Sequence, residues 1–234
     1  MSRNLDLSAL WYNAEQLDID KTMIRYRYQS ILPYFRKGVA LEVGPADGVM
    51  TRLLLDNFDA LDLIDGSSEL LNQIPVDPRI RKFCSLLENF EPPRRYDTII
   101  MEHVLEHVEE PQAVLQRMIK WMNPDSVLIV GVPNALNFHR LAGAKMGLLP
   151  TPYSLNERDV KLGHYRVYDQ STLHGELQRA GFKKVIGQGG CFFKVLSNQQ
   201  LETQCSTKMI EAFYELGKDF QNHAAEIFIV VSGE

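Results

Sequence analysis

An apolar run that breaks into a glycine-bearing turn constrains this chain most. The run Val39–Val43 is short and apolar, as expected of a strand buried on both faces of a sheet, and Gly44 and Gly48 then let the backbone turn sharply. A helix is predicted from 50 to 57. A second apolar run ends in Asp65, where a carboxylate can accept both hydroxyls of a ribose. Together these features predict one nucleoside-binding half-unit of an α/β fold.

The spacing of the turn indicates which nucleoside it holds. A dinucleotide-binding turn would carry glycine at positions 44, 46 and 49, whereas this chain has Gly44, Ala46 and Val49 with its second glycine at 48. Glu42, just before the turn, would repel a phosphate, but it suits a ligand with a cationic amino-acid end. The pattern therefore disfavours a pyrophosphate ligand, and with it a nicotinamide-dependent oxidoreductase.

The segments E-V-G-P-A-D-G and L-I-D-G-S-S resemble the first two motifs of the class I S-adenosylmethionine-dependent methyltransferases of the small-molecule type. Ala46 replaces the middle glycine of the first motif and still allows a close backbone approach. The resemblance implies S-adenosylmethionine as the cofactor. It assigns the methionine end to Glu42, Gly44, Ala46 and Gly48, the ribose to Asp65, and the adenine to Leu86 and Leu87. Gly66 and Ser67, which follow Asp65, are further candidates for cofactor binding.

The stretch M-E-H-V-L-E-H-V, from 101 to 108, is the second informative motif. It resembles the fourth-strand motif of many small-molecule methyltransferases, which faces the methyl donor, so Glu102 and His103 are further candidates for cofactor binding. Some methyltransferases of catechol-like substrates or RNA termini bind magnesium through an acid-x-x-Glu-His cluster. Here His103 stands in place of that acid, before Glu106 and His107. Because magnesium prefers oxygen ligands, we predict no metal.

Strand and helix signals alternate along the chain and predict a doubly wound α/β fold with right-handed crossovers. With the resemblance, this gives a single methyltransferase domain built on a mainly parallel, seven-stranded Rossmann-like sheet. Its predicted parts are an N-terminal helical cap at 1–37, a cofactor-binding core at 38–133, a substrate lid at 134–168 and the rest of the sheet with a helical insertion at 169–234. The cap helix is predicted over 8–35 and the sixth strand over 182–187. Residues after strands one, two, four and five should converge on one cleft.

The segment 134–168 is long for a connection within a compact domain, and such segments are usually functional lids or disordered. Its arginines could clamp a carboxylate or phosphate of the substrate, or pair with acids at the surface. In the cap, the resemblance gives Tyr12, Tyr26 and Tyr28 a role facing the substrate, with packing onto the sheet as an equal alternative. The candidates for substrate binding are therefore Tyr26, His139, Arg140, Arg158, Arg166 and Tyr168.

Methyl transfer to a hydroxyl requires alignment of the nucleophile with the methyl group and removal of the hydroxyl proton. Histidine is the natural base near neutral pH. His164 begins the polar run H-Y-R-V-Y in the predicted lid and is the first candidate for the catalytic base. His107 is the second, with an orienting or turn-bracing role as its alternative.

Composition limits the partners of the chain. A net charge of −5 and a pI near 5.7 disfavour a broad nucleic-acid surface. No apolar stretch approaches the ~20 residues of a membrane span, the N-terminus lacks the apolar core of a signal peptide, and Cys84, Cys191 and Cys205 lack the spacing of a metal or disulfide framework. We expect a cytoplasmic protein that binds a small-molecule substrate, and a homodimer is left open.

These observations predict an S-adenosylmethionine-dependent methyltransferase that acts on a small molecule, with oxygen as the expected acceptor in a biosynthetic pathway. Methylation of a nitrogen in an amine or peptide is the close alternative, since an amine could arrive neutral and need little base catalysis. A non-catalytic, cofactor-binding regulatory subunit is the third hypothesis, which the dense His, Arg and Tyr content of the lid disfavours.

Overall fold

A seven-stranded sheet forms the centre of the protein. The computed structural model describes residues 16–233, and its strands follow the order β3-β2-β1-β4-β5-β7-β6. Strands β1 to β5 are parallel, whereas β7 pairs antiparallel with both β5 and β6. The strands are β1 (Val39–Val43), β2 (Ala60–Asp65), β3 (Ile80–Cys84), β4 (Tyr96–Glu102), β5 (Met122–Pro133), β6 (Val185–Cys191) and β7 (Glu226–Ser232). The predicted fold class is confirmed.

Helices lie on both faces of this sheet. The described α-helices are α1 (Asp18–Ile31), α2 (Val49–Leu54), α3 (Ser68–Gln73), α4 (Pro111–Trp121), α5 (Phe138–Lys145), α6 (Glu157–Lys161), α7 (Gln170–Ala180), α8 (Asn198–Gln204) and α9 (Thr207–Asp219). Short 3₁₀ turns occur at Leu32–Tyr34, Leu87–Asn89, Leu105–His107 and Gln221–His223. Within the described residues, no helix has the length and apolar character needed to cross a membrane.

Some element boundaries differ from those that the sequence predicts. The sixth strand begins at Val185, because Phe182 forms part of the cap that follows α7: its backbone N–H donates to the Leu177 carbonyl at 3.1 Å, and its side chain is buried in the core. The predicted lid contains α5 and α6, and α8 is an additional helix. The cap helix is present as α1, and the earlier part of the predicted helix, including Tyr12, lies outside the described residues.

Three buried apolar clusters hold these layers together. One packs α4 and α7 on one face of the sheet and includes Trp121 and Leu177. A second packs α1, α2 and α3 on the opposite face and includes Ile31 and Leu54. The third joins α1 to α8, α9 and the segment after β6, with Phe192 fully buried in it. Helix α1 is thus fixed to both the sheet and the C-terminal part of the described residues.

The strand order reverses at β1, which lies between β2 and β4. In doubly wound sheets this reversal opens a crevice outside the carboxyl ends of the central strands, and ligands bind there. Gly44 follows β1 and His103 follows β4, and both have positive φ, at 68° and 55°. The chain therefore turns sharply away from the sheet on both sides of the crevice.

Candidate active site

A cavity of about 540 Å³ lies at the carboxyl ends of the central strands. Two sets of residues line it. The glycine-turn group comes from the loops after β1, β2 and β3 and consists of Gly44, Ala46, Asp65, Gly66, Ser67, Leu70, Ser85, Leu86 and Leu87. The charged group comes from other parts of the chain and consists of Asp20, Arg27, His103, Glu106, His107, His139, Arg140, Arg158, Asp159, His164, Lys194 and Glu226.

The turn after β1 is built from residues with left-handed backbone. Gly44, Ala46 and Gly48 have φ of 68°, 49° and 77°. A Cβ on Gly44 would lie 2.5 Å from Cγ2 of Val104, so the turn packs directly against the loop after β4. Ala46 tolerates the left-handed region at a cost of roughly 1–2 kcal/mol, which explains why a glycine is usual at this position. The backbone of the turn lies at the surface of the cavity, which Gly44 and Ala46 line.

Asp65 ends β2 at the cavity. Its carboxylate accepts a hydrogen bond from the backbone N–H of Ser67 at 2.8 Å, and Ser67 in turn caps the N-terminus of α3. Burial raises the pKa of Asp65, and the backbone N–H groups of Ser67 and Ala46 offset only part of that rise. A carboxylate offers about four acceptor positions, so Asp65 retains capacity for ribose hydroxyls.

Three residues predicted to bind the cofactor lie behind this surface, because none of them lines the cavity. Glu42 is buried and accepts a hydrogen bond from the Thr51 hydroxyl at 2.7 Å, and burial raises its pKa to about 8. At Gly48, a Cβ would lie 2.8 Å from Cγ1 of Ile74. Burial likewise raises the pKa of Glu102 to about 8. Their contacts with a cofactor stay predictions.

An ion-paired cluster forms part of the charged group. Glu226, the first residue of β7, lies 3.2 Å from Nε of Arg27 and 3.4 Å from Nε2 of His103. Burial raises the pKa of Glu226, but the charges of Arg27 and His103 outweigh that effect and bring it to about 2. Glu226 is thus an ionised acid that links α1 to the loop after β4.

Two imidazoles and a carboxylate meet on the same cavity surface. The 3₁₀ turn after β4 presents Glu106 and His107, and the His164 ring packs edge-to-face on the His107 ring with centroids 4.6 Å apart. The backbone N–H of Tyr165 donates to the Glu106 carbonyl at 2.9 Å. The two histidines predicted as catalytic bases are therefore brought together, and the predicted lid is fastened to the strand-four loop.

His164 is held by the short helix α6. Its Nδ1 lies 3.4 Å from Oδ1 of Asp159, and its backbone N–H donates to the Asp159 carbonyl at 2.9 Å. Arg140 contacts the other oxygen of the same carboxylate at 2.9 Å. Burial raises the pKa of Asp159, but hydrogen bonds from His164, from the backbone of Asn156 and from Arg140 bring it to about 2. An ionised acid therefore orients the His164 ring.

The other predicted substrate residues fall into two sets. Arg158 and His139 line the cavity, as does Arg140, although Arg140 is buried and also donates to the Pro152 carbonyl at 2.8 Å. Three others do not line it. Arg166 donates to the carbonyls of Val108 and Glu109, Tyr168 is buried beside Asn134, and Tyr26 stacks on Tyr214 with ring centroids 4.2 Å apart.

Several residues that line the cavity are not predicted from the sequence. Asp20 and Arg27 share one face of α1 at helical spacing, and Glu226 is the one acid that leads the apolar run of β7, so signals for these were present. Lys194 follows β6 and donates to the side chain of Asn198. Burial and the nearby charge of Arg158 lower the pKa of Lys194 to about 8. No periodic pattern marks Lys194, because it lies in irregular backbone.

Comparisons with known proteins define the class. A family model described as a methyltransferase domain matches residues 20–186, and the chain belongs to this family. No curated protein matches it closely enough to count as a relative. With the glycine turn and the acid after β2, this makes the protein an S-adenosylmethionine-dependent methyltransferase.

Solved structures share the fold at low sequence identity. A putative methyltransferase from Haloferax volcanii in complex with the Trm112 activator is 10% identical with a TM-score of 0.68, over 97% of both chains. A possible histamine N-methyltransferase from Thermotoga maritima is 14% identical with a TM-score of 0.65, over 97% of this chain and 100% of that one. The N-methyltransferase NodS from Bradyrhizobium japonicum, in complex with S-adenosylhomocysteine, is 13% identical with a TM-score of 0.55, over 91% of this chain and 85% of that one.

Proposed function

We propose that the protein methylates a hydroxyl group of a small molecule, in a biosynthetic pathway. The observation that carries this proposal is the meeting of His107 and His164 beside Glu106 on the cavity surface. A hydroxyl must lose its proton to become a good nucleophile, and these are the groups of the cavity best suited to take part in that step. The cavity volume lies within the range of small-ligand pockets.

The glycine-turn group supports the placement of the methyl donor. Gly44 and Ala46 leave their backbone on the cavity for the methionine end, and Asp65 has acceptor capacity for the ribose. Leu86 is exposed at the edge of the cavity, and with Leu87 it offers an apolar surface for the adenine ring. The bound donor supplies an electrophilic methyl group on a sulfonium, and a site with an acid and no lining cation in this group suits its positive charge.

The charged group supports the placement of the acceptor. His164, oriented by Asp159, would face the acceptor hydroxyl and accept its proton, with His107 beside it. Arg158 is the best placed of the three predicted arginines to hold an anionic group of the acceptor. It is exposed and lines the cavity, whereas Arg140 lines the cavity but is buried, and Arg166 does not line it. We therefore favour a hydroxylated small molecule that carries a carboxylate or phosphate.

Nitrogen methylation is the second candidate. It is favoured by two of the similar structures, one described as an N-methyltransferase and one as a possible histamine N-methyltransferase. Acids on the cavity, Asp20 and Glu226 among them, could bind a cationic amine. An amine that arrives neutral would not require the paired histidines, so the two candidates differ in how strongly they depend on His164.

The test is transfer of a labelled methyl group from S-adenosylmethionine to matched sets of small hydroxy acids and the corresponding amino compounds. The proposal predicts label on oxygen, with transfer that depends on His164. Label confined to nitrogen would contradict it and favour the second candidate. The His174→Ala variant is the matched control, because His174 lies on α7 and does not line the cavity.

A further inference from the structure

Glu106, His107 and His164 form a set of ligand atoms that a single ion could join. One oxygen or ring nitrogen from each side chain lies within 4.8 Å of the others, and all three side chains line the cavity. Ligand atoms around a tetrahedral zinc ion lie roughly 3.4 Å apart, given metal–ligand distances of about 2.1 Å. A contraction of at most roughly 1.4 Å would therefore bring these three groups into coordination, and all three lie outside the α-helices and strands of the sheet.

The Glu106 carboxylate shows that the set is incomplete as it stands. The side chain is only 1% exposed, yet neither of its oxygens has a hydrogen-bond partner among residues 16–233. Nδ1 of His103 lies 3.8 Å from Oε1 of Glu106, beyond hydrogen-bonding distance. A buried, unsatisfied carboxylate is costly, and a cation on the cavity side would satisfy it.

The surroundings of His164 match those of a metal ligand. Histidines that bind metals usually donate the other ring N–H to a carboxylate, which fixes the tautomer and the ring orientation. Nδ1 of His164 lies 3.4 Å from Oδ1 of Asp159, which leaves Nε2 for the ion, and Asp159 is itself held by Arg140 at 2.9 Å. The arrangement thus contains an orienting carboxylate behind the ligand as well as the ligand itself.

We propose that Glu106, His107 and His164 bind a divalent transition-metal ion, with zinc as the best match, at the acceptor side of the cavity. Two imidazoles and one carboxylate, with open positions for a further ligand, suit zinc and its neighbours better than magnesium. The sequence motif predicts no metal, because His103 stands where a magnesium site has an acid and magnesium prefers oxygen ligands. In the structure the third member of the set is His164 and not His103, and the position of His164 could not be inferred from the motif.

The ion also deepens the proposed function, and this part rests on it. An acceptor hydroxyl bound at an open position would have its pKa lowered by the cation and would release its proton to water. With the ion bound, His164 serves as a ligand, and the ion takes over the part in deprotonation that the free imidazole would otherwise play. Its oxygen then bonds to the methyl carbon while the carbon–sulfur bond breaks, and the sulfur keeps the electron pair. The balance is one acceptor methylated, one S-adenosylhomocysteine formed and one proton released.

The test measures metal binding without donor or acceptor, so it does not depend on the reaction. The full chain, freed of metal with a chelator, is titrated with Zn²⁺ by calorimetry and with Co²⁺ by visible absorption. We expect one ion per chain, and the Co²⁺ spectrum of a site with histidine ligands. Glu106→Gln and His164→Ala should each weaken binding at least 100-fold, and Asp159→Asn about 10- to 100-fold. His174→Ala, the control for adventitious binding to a histidine, should bind as the wild type does.

Two variants of different residues keep the test decisive if one of them fails to fold, which thermal unfolding reports. Wild-type protein that binds no stoichiometric ion would overturn the metal site, as would binding that survives in both Glu106→Gln and His164→Ala. Binding that disappears in these variants supports the site even if no hydroxyl acceptor is found, in which case only the proposed function fails.

Discussion

The pKa values of buried acids shift in opposite directions on the two sides of the cavity, the side of the glycine-turn group and the side of the charged group. In and behind the glycine-turn group, burial raises the pKa of Asp65 and of Glu42, and no cation of the described residues lowers either pKa. In the charged group, Glu226 and Asp159 are also removed from water, but Arg27 and Arg140, respectively, contribute to lowering the pKa of each to about 2. One side is thus short of positive charge, whereas on the other side the carboxylates of Glu226 and Asp159 are already paired.

This difference explains how one cavity could bind two ligands, the methyl donor and the acceptor. A donor that carries a sulfonium supplies the missing positive charge on the glycine-turn side, so its binding favours the ionised form of Asp65. On the other side, paired charges hold His103 and His164 in defined positions, because each contacts an ionised acid. Substitutions on the two sides should therefore affect different measured quantities.

The largest effect is expected on turnover from the charged side. His164→Ala should lower kcat by a factor of ~10² to 10⁴, as expected for loss of a group needed to remove the acceptor proton, whether it acts as the base or as a ligand of the ion. The dissociation constant for S-adenosylmethionine, measured by calorimetry, should stay within about threefold of wild type, since His164 is not in the glycine-turn group. Unchanged turnover would remove His164 from the mechanism.

The next effect concerns stability behind the glycine turn. The pKa of Glu42 is about 8 in the folded chain and ordinarily 4.5, so between these values the folded state binds more protons than the unfolded one. Its contribution to stability is therefore fully present below pH 4.5 and is lost as pH rises to about 8.

Glu42→Gln removes this proton and can still accept the hydrogen bond from Thr51. The free energy of unfolding of the variant minus that of the wild type should increase by roughly 2–4 kcal/mol from pH 5 to pH 8, measured by urea unfolding at each pH. A difference between the two proteins that does not vary with pH would show that Glu42 is already ionised in the folded state.

A smaller effect is expected on donor binding. Asp65→Ala should weaken binding of S-adenosylmethionine about 10- to 100-fold, because hydrogen bonds to a charged group contribute about 1.5–3 kcal/mol. Asp77→Ala is the control, since Asp77 pairs with Arg79 and does not line the cavity. Equal dissociation constants for Asp65→Ala and wild type would place the ribose elsewhere.

The smallest effect separates packing from substrate binding. Tyr26 stacks on Tyr214 in the cluster that joins α1 to α9, and it does not line the cavity. Tyr26→Phe preserves the ring, so kcat and KM should both remain within about twofold of wild type, whereas Tyr26→Ala should lower the melting temperature. A large rise in KM for the acceptor in Tyr26→Phe would return Tyr26 to the substrate-binding set.

The sequence predicts the glycine-turn side far better than the charged side, for a physical reason. Gly44 and Asp65 are local signals, because a tight turn and the end of a buried strand each require particular residue types at fixed positions. The strands β1 and β2 are likewise predicted from short apolar runs. The charged side assembles from segments that are distant in the chain, so the meeting of His107 with His164 and of Arg27 with Glu226 depends on tertiary packing. Arg140 and Tyr26 have the residue types of binding groups, yet the fold uses Arg140 to brace Asp159 and Tyr26 to stack on Tyr214.

Hydrogen exchange measured by mass spectrometry tests the division of the cavity most directly. S-adenosylmethionine added alone should slow exchange in peptides that cover 44–48, 65–70 and 85–89, and should leave peptides that cover 156–165 nearly unchanged. Protection of 156–165 should appear only when an acceptor is added together with S-adenosylhomocysteine. If S-adenosylmethionine alone protects 156–165 and leaves 44–48 and 65–70 unchanged, the donor occupies the charged side and the account is contradicted.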